Sequence, residues 1–183
     1  MVSSALADAA PEPLAGRVVR GVVGGAVSGV VFAAATMWFV ASTGGPAVMP
    51  LRMISTIVLG DAAMGKGTTS PALGAVVHLV LSAAFGVAFG LVVRWLRTNG
   101  TVALAGVLYG LLLYLVNFQV LARLLFTTFK MANQPFEVVV HVVFGILLAF
   151  AFFGSGVRRG EPAVAVTHRA AGGHASGTRL RTG

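Results

Sequence analysis

The chain has 183 residues, of which 57% are hydrophobic and 10% are charged, and its formal net charge is +8. So few charged side chains cannot cover a water-soluble domain of this length, which favours an integral membrane protein. The absence of cysteine excludes disulfides, thiolate metal sites and cysteine nucleophiles, and only five acidic residues remain for carboxylate chemistry. In a membrane protein the positive charge indicates topology and contact with anionic lipid, and we expect no nucleic-acid partner.

Four stretches with little or no formal charge are each long enough for one membrane helix. They predict an all-α fold, an integral membrane four-helix bundle with small-residue helix interfaces and disordered termini. We expect a cytoplasmic N-terminal tail over residues 1–16, because that stretch lacks the cationic start of a signal peptide. The helical domain covers residues 17–154, and its predicted spans are residues 18–43, 72–95, 101–122 and 136–153.

A short apolar segment over residues 50–60 follows the glycines and prolines that end the first span. It is too short to cross a membrane, which predicts an interfacial or re-entrant segment. The next residues, GDAAMGKGTT, match the spacing of a phosphate-binding loop, with Lys66 as its cation. Pro71 would then fall in the second turn of the following helix, where proline is poorly tolerated. That helix would also be a membrane span, so we interpret the match as a coincidence in a loop.

Small residues recur at every fourth position in the predicted spans, a pattern that lets helix backbones approach closely. We interpret them as helix-packing positions without a function of their own. They are Gly21, Gly25, Gly29, Ser82, Gly86, Gly90, Gly106, Gly110 and Gly145.

The distribution of basic residues predicts the orientation in the membrane. Residues 155–183 are rich in arginine, which predicts a disordered basic cytoplasmic tail that contacts anionic lipid. Nine cations lie on the side of the termini and four on the other side. The positive-inside rule therefore places both termini in the cytoplasm. Because the chain is rich in Ala, Gly, Val and Arg, we expect a multi-pass protein of a bacterial inner (plasma) membrane.

Four polar residues are predicted to lie at one depth. His78, Asn117 and His141 are each about five or six residues from the outer end of a span, roughly 8–9 Å deep. Glu137 precedes His141 by one turn on the same helix face. Ionisable groups at such depth mark functional sites, although each histidine could also serve only as an interhelical hydrogen-bonding group. The repeated VVH before His78 and His141 indicates two related helix pairs.

Short motifs around these histidines carry a resemblance to a known family. They are the run HLVLS from His78 to Ser82, the following Phe85–Gly86, Ala105–Gly106, and HVVFG from His141 to Gly145. They resemble the YagU-like proteins and related small four-span inner-membrane proteins of bacteria, over roughly residues 18–153. The resemblance implies the fold and the location, and it implies a role in acid-stress tolerance through the member associated with acid resistance.

Three functions remain open at this point. The first is proton or small-solute handling at His78, His141, Asn117 and Glu137. The second is haem b held by the two histidines, which we disfavour because no second pair exists, so that no cofactor and no metal site are predicted. The third is a non-catalytic scaffold or lipid-binding assembly protein that forms homo-oligomers through its small-residue stripes. An enzyme is not expected, because no nucleophile–base pair, metal-ligand cluster or carboxylate pair is present.

Overall fold

The computed structural model describes residues 13–154, and this part of the chain is helical without a strand. The all-α prediction is therefore confirmed for the described residues. Residues 1–12 and 155–183 lie outside them, and so do most of the predicted N-terminal tail and the whole basic tail. The first helix begins at Leu14, so residues 14–16, which we assigned to the tail, belong to that helix.

Seven α-helices follow one another in the described part of the chain. They are α1 (Leu14–Ser42), α2 (Met49–Leu59), α3 (Ala62–Lys66), α4 (Pro71–Val92), α5 (Asn99–Tyr114), α6 (Ala122–Leu124) and α7 (Gln134–Phe150). A 3₁₀ turn, Val93–Trp95, extends α4, and a π-helix, Leu115–Leu121, joins α5 to α6. A second 3₁₀ helix, Thr127–Met131, precedes α7.

Three continuous helical stretches are long and apolar enough to cross a membrane: Leu14–Ser42, Pro71–Trp95 and Asn99–Leu124. The region of the fourth predicted span, residues 136–153, corresponds to α7, which has 17 residues and is therefore about 25 Å long. Asn133 fixes the start of α7 by accepting a hydrogen bond from the backbone N–H of Phe136. The predicted interfacial segment, residues 50–60, corresponds to helix α2.

The start of α4 bears on the match of GDAAMGKGTT to a phosphate-binding loop. Ser70 caps the helix by accepting a hydrogen bond from the backbone N–H of Leu73, at 3.2 Å, and Pro71 is the first helical residue. Proline is well tolerated at that position, whereas a phosphate-binding loop ending at Thr68 would require a helix that begins earlier and holds Pro71 in its second turn. A phosphate-binding loop follows a strand, whereas GDAAMGKGTT follows helix α2 and itself contains the short helix α3.

Two seams of direct backbone contact hold the long helices together. In the first, α1 packs along α4, and a Cβ on Gly21 would lie 2.6 Å from the Gly86 carbonyl oxygen. Gly25 and Gly29 meet Ser82 in the same seam. In the second, α5 packs along α7, and a Cβ on Gly106 would lie 2.5 Å from the Gly145 carbonyl oxygen.

The remaining helix contacts are arranged around these two pairs. Helix α7 also packs against α1, and α2 packs against α4. Helices α4 and α5 meet through side chains: the Tyr109 hydroxyl donates a hydrogen bond to the Phe85 carbonyl oxygen at 2.8 Å. We call the end of the bundle that carries α2 and α3 the α2 end, and the opposite end the terminal end. The densest apolar core lies toward the terminal end, around Phe89, Leu148 and Phe152.

Candidate functional site

A cavity of about 790 Å³ occupies the α2-end half of the bundle. Side chains of α1, α4, α5 and α7 form its walls, and side chains of α2, α3 and the α5–α7 connection border it at the α2 end. Its volume lies within the usual range of small-molecule sites. Its wall is largely apolar and includes eight phenylalanines and four methionines: Phe32, Phe39, Phe85, Phe118, Phe126, Phe129, Phe136, Phe144, Met49, Met53, Met64 and Met131.

The four residues of the predicted polar site, His78, Asn117, Glu137 and His141, all lie on the wall of this cavity. They come from α4, the π-helix and α7, so the structure brings three helices together at one place. Among the described residues, Glu137 is the only acidic side chain that lines the cavity, and no lysine or arginine lines it.

His78 is oriented by the backbone of α1. Its Nε2 lies 2.8 Å from the Gly29 carbonyl oxygen, and because a carbonyl only accepts, Nε2 carries the proton and donates. Nδ1 of the neutral ring is then an acceptor. A Cβ at position 29 would overlap with the Ser82 side chain, so glycine there permits the close approach of α4 that brings His78 to the α1 backbone.

His141 is oriented by its own helix. Its Nδ1 donates a hydrogen bond to the Glu137 carbonyl oxygen at 2.7 Å, which leaves Nε2 of the neutral ring as an acceptor. The rings of Phe32, Phe118 and Tyr114 surround the imidazole edge-on, with centroids 4.9, 5.5 and 6.0 Å away. Within residues 13–154, no hydrogen bond reaches Nε2.

Glu137 presents a carboxyl group without a strong partner. Its side chain is 13% exposed, and its Oε2 lies 3.8 Å from His141 Nδ1, which already donates to a carbonyl. No described residue donates a hydrogen bond to this carboxyl group. The neighbouring Phe136 stacks on Phe39 with a centroid distance of 4.0 Å, which fixes the start of α7 against the end of α1.

The Phe32 ring contacts both histidines. Its centroid lies 5.5 Å from that of His78 and 4.9 Å from that of His141. Both imidazoles also donate to backbone carbonyls, so in this arrangement they do not face each other across a free space of the kind that a bis-histidine haem requires. Within residues 13–154, no three His, Cys, Asp or Glu side chains gather into a metal-binding group.

Asn117 lies in the π-helix, an element that sequence analysis missed. Such helices are rare and are frequently found at functional sites. The wider turn places Gln119 next to Tyr114, five residues earlier, and Gln119 Nε2 donates to the Tyr114 hydroxyl at 2.7 Å. Tyr114 in turn donates to Gln134 at the start of α7. The five-residue spacing of Tyr114 and Gln119 was the sequence signal that could have indicated the π-helix.

A second missed contact closes the α2 end. The Asp61 carboxylate accepts hydrogen bonds from the Thr127 backbone N–H at 2.7 Å, from the Thr127 hydroxyl, and from the Thr128 hydroxyl at 2.9 Å. These bonds, led by that from the Thr127 side chain, lower the pKa of Asp61 below its ordinary value. They tie the α2–α3 segment to the α5–α7 connection across 66 residues of chain.

Comparison of the chain with family models, curated proteins and solved structures gave no match. The resemblance to the YagU-like proteins therefore stays a prediction.

Proposed function

We propose that this chain is a multi-pass protein of a bacterial inner membrane that binds a small, largely apolar solute in its cavity. In this proposal α1, α4, α5 with its extension, and α7 are four spans, and both termini are cytoplasmic. One observation carries the proposal: His78, Asn117, Glu137 and His141 lie on the wall of a cavity whose other lining residues are mostly apolar, with phenylalanine and methionine prominent among them. Apolar walls with a few placed polar groups are typical of small-molecule sites.

The outer surface of the bundle supports the membrane location. All four long helices expose large aliphatic side chains on their outer faces, among them Val30, Val80, Leu108 and Val139. Lipid is the solvent in which such a surface is stable. Val139 and Val143 give α7 the same apolar outer face as the longer helices, which supports a fourth, short span. A short span is accommodated by local thinning of the bilayer.

The same polar groups suit proton handling together with solute handling. His78 and His141 each keep one ring nitrogen as an acceptor, and the Glu137 carboxyl is open to the cavity. These groups can take up a proton that reaches the cavity from outside. Such a site is compatible with the acid-stress role that the resemblance implies.

The scaffold alternative receives less support. It depends on the small-residue stripes as oligomer contacts, yet Gly21, Gly25 and Gly86 are engaged within one chain, as are Gly106 and Gly145. A surface already covered by its own partner helix is not available to a second copy. The haem alternative is disfavoured by His78, whose Nε2 already donates to the Gly29 carbonyl oxygen, and by the Phe32 ring, which packs against both imidazoles.

Single-cysteine labelling tests the proposal, since the natural chain has no cysteine. Thr36 lies on the cavity wall and is 6% exposed, whereas Val30, on the outer face of the same helix, is 57% exposed. A charged, membrane-impermeant methanethiosulfonate added from outside should label Thr36→Cys, because a solute cavity is reached by water. Val30→Cys should stay unlabelled, because lipid excludes the charged reagent. Labelling of Val30→Cys but not Thr36→Cys would contradict both the cavity function and the membrane location.

A further inference from the structure

The electrostatics of the cavity are one-sided. Glu137 is the only acidic residue on its wall, and among the described residues no arginine or lysine lines it. Arg123, the basic residue nearest in sequence to the π-helix, is held by a hydrogen bond to Gln119. The wall therefore offers a negative charge to a ligand and no positive one. Charge complementarity favours a cation over an anion and suppresses the binding of anions.

The Glu137 carboxyl lacks a partner that would satisfy it. Its side chain is 13% exposed, and a carboxylate so largely removed from water is costly unless it is paired and hydrogen-bonded, yet no described residue donates to this one. His141 lies 3.8 Å from Oε2, and its Nδ1 proton is already donated to the Glu137 carbonyl oxygen. The missing donor can come from a ligand inside the cavity. His78 Nδ1 and His141 Nε2 are further acceptors to which such a ligand can donate hydrogen bonds.

The aromatic wall suits a positive charge as well as an apolar body. Phenylalanine rings attract cations over their faces, and they also bury apolar substituents. Phe32 and Phe118 flank His141, and Phe136 directly precedes Glu137 in the chain, so aromatic rings border the carboxyl-bearing part of the cavity. Met49 and Met53 of α2 also line the cavity, and methionine adapts to irregular apolar shapes.

We propose that the ligand of this cavity is a hydrophobic organic cation, an amine or quaternary onium group with aromatic or aliphatic substituents. The Glu137 carboxylate is its counter-charge, the phenylalanines surround its apolar groups, and His141 and Asn117 accept hydrogen bonds from it where it carries N–H groups. The inference rests on the proposed function and narrows its solute to one chemical class.

Three probes of related shape and different charge test this. The full chain is reconstituted in nanodiscs of zwitterionic phosphatidylcholine, and binding is measured by equilibrium dialysis against empty nanodiscs. Tetraphenylphosphonium, a cation, should bind saturably and more tightly than neutral triphenylphosphine oxide. The anion tetraphenylborate should not bind above the empty-nanodisc control.

The matched variant is Glu137→Gln, which keeps the size of the side chain and removes its charge. Its affinity for tetraphenylphosphonium should fall about tenfold or more, as expected when a charge-assisted contact is lost. Its affinity for triphenylphosphine oxide should stay unchanged, which also shows that the cavity is intact. Glu161→Gln makes the same change in net charge outside the described residues. It should give the same result as the natural chain with each of the three probes.

Asn117→Asp provides an independent variant, because it adds a second carboxylate to the cavity wall without altering Glu137. It should bind tetraphenylphosphonium more tightly, and a failure to do so would overturn the proposal. If tetraphenylphosphonium and triphenylphosphine oxide bind equally and Glu137→Gln changes neither affinity, the cation specificity is overturned. The proposed function of the cavity as a solute site is then still supported. Absence of saturable binding for all three probes would overturn the proposed function as well.

Discussion

At the scale of single residues, Asp61 makes a long-range polar contact of three hydrogen bonds. Its two carboxylate oxygens accept three hydrogen bonds from Thr127 and Thr128, at the start of the 3₁₀ helix that leads to α7. Met64 and Phe129, which follow these residues in the chain, both line the cavity. Asp61 therefore fixes two segments that border the cavity at the α2 end.

Removing this contact should loosen the α2 end. Because the folded state lowers the pKa of Asp61, its stabilising contribution is present above the ordinary pKa of a free aspartate, 3.8, and is lost as pH falls through the lower folded value. We expect Asp61→Asn to lower the melting temperature in detergent at pH 7 by about 2–4 °C. The difference from the natural chain should shrink below about pH 4. A difference that is constant from pH 7 to pH 3 would contradict this assignment.

The polar site and the Asp61 contact differ in how far the sequence could predict them. The rise of an α-helix is constant, so counting residues from the span ends is enough to place His78, His141, Asn117 and Glu137 at one depth. The partners of Asp61 lie 66 and 67 residues away, in a connection whose path no periodicity describes. The contacts of Phe32 with both histidines depend on side-chain packing and were equally beyond the sequence.

At the scale of helices, the two seams depend on glycines that face backbone rather than side chains. A Cβ on Gly86 would overlap with the Gly21 carbonyl oxygen and would also lie 2.9 Å from the Gly25 Cα. Backbone atoms in two packed helices cannot rotate away as a side chain does. Even one methyl group must therefore push α1 and α4 apart.

A pair of matched alanine substitutions measures this effect. Gly86→Ala should destabilise the bundle by about 2 kcal/mol or more, because overpacking of a tight contact forces the helices to shift. Gly100→Ala, in the first turn of α5, is the control, because its Cβ would meet only one atom, at 3.8 Å. That variant should be neutral or more stable by up to about 1 kcal/mol, as alanine favours helix. Thermal unfolding in detergent compares the two, and equal stability would contradict the seam.

Helix positions were largely predictable, whereas helix types were not. The observed bounds of the long helices lie close to the predicted ones, because low charge and apolar length decide where a helix can span. The π-helix Leu115–Leu121 was missed, since its residues are as apolar as those of the α-helix before it. Helix α3 was missed because its five residues are too short for any periodicity to appear.

At the scale of the whole molecule, the pair α1–α4 and the pair α5–α7 run in the same directions through the bundle. Helices α1 and α5 each run toward the α2 end, and α4 and α7 each run back from it. The repeated VVH falls on the returning helix of each pair, and His78 and His141 thereby enter the cavity from the same end. Any up-and-down arrangement of four helices has these directions, so the relation between the two pairs stays a prediction.

Labelling of two glycine positions tests the orientation. A Cβ on Gly65 would meet no atom within 4 Å, and one on Gly100 only a single atom at 3.8 Å, so cysteine fits at both. In intact cells a membrane-impermeant maleimide should label Gly65→Cys, at the α2 end. Gly100→Cys, at the terminal end, should be labelled only after the membrane is permeabilised, since the positive-inside rule places it in the cytoplasm. The reverse pattern would invert the proposed topology.

The glycines of the seams are distinct from the residues of the cavity wall, although Ser82 and His141 belong to the wall and also meet seam glycines. Gly21, Gly86, Gly106 and Gly145 hold the helices by backbone contact, and none of the four lines the cavity. Most substitutions on the wall therefore leave the glycine contacts unaltered, whereas a larger residue at a seam glycine pushes apart the two helices that meet there. Under selection the frame must stay fixed while the wall is free to diverge, so descendants of one ancestral bundle can come to hold chemically different molecules without changing shape.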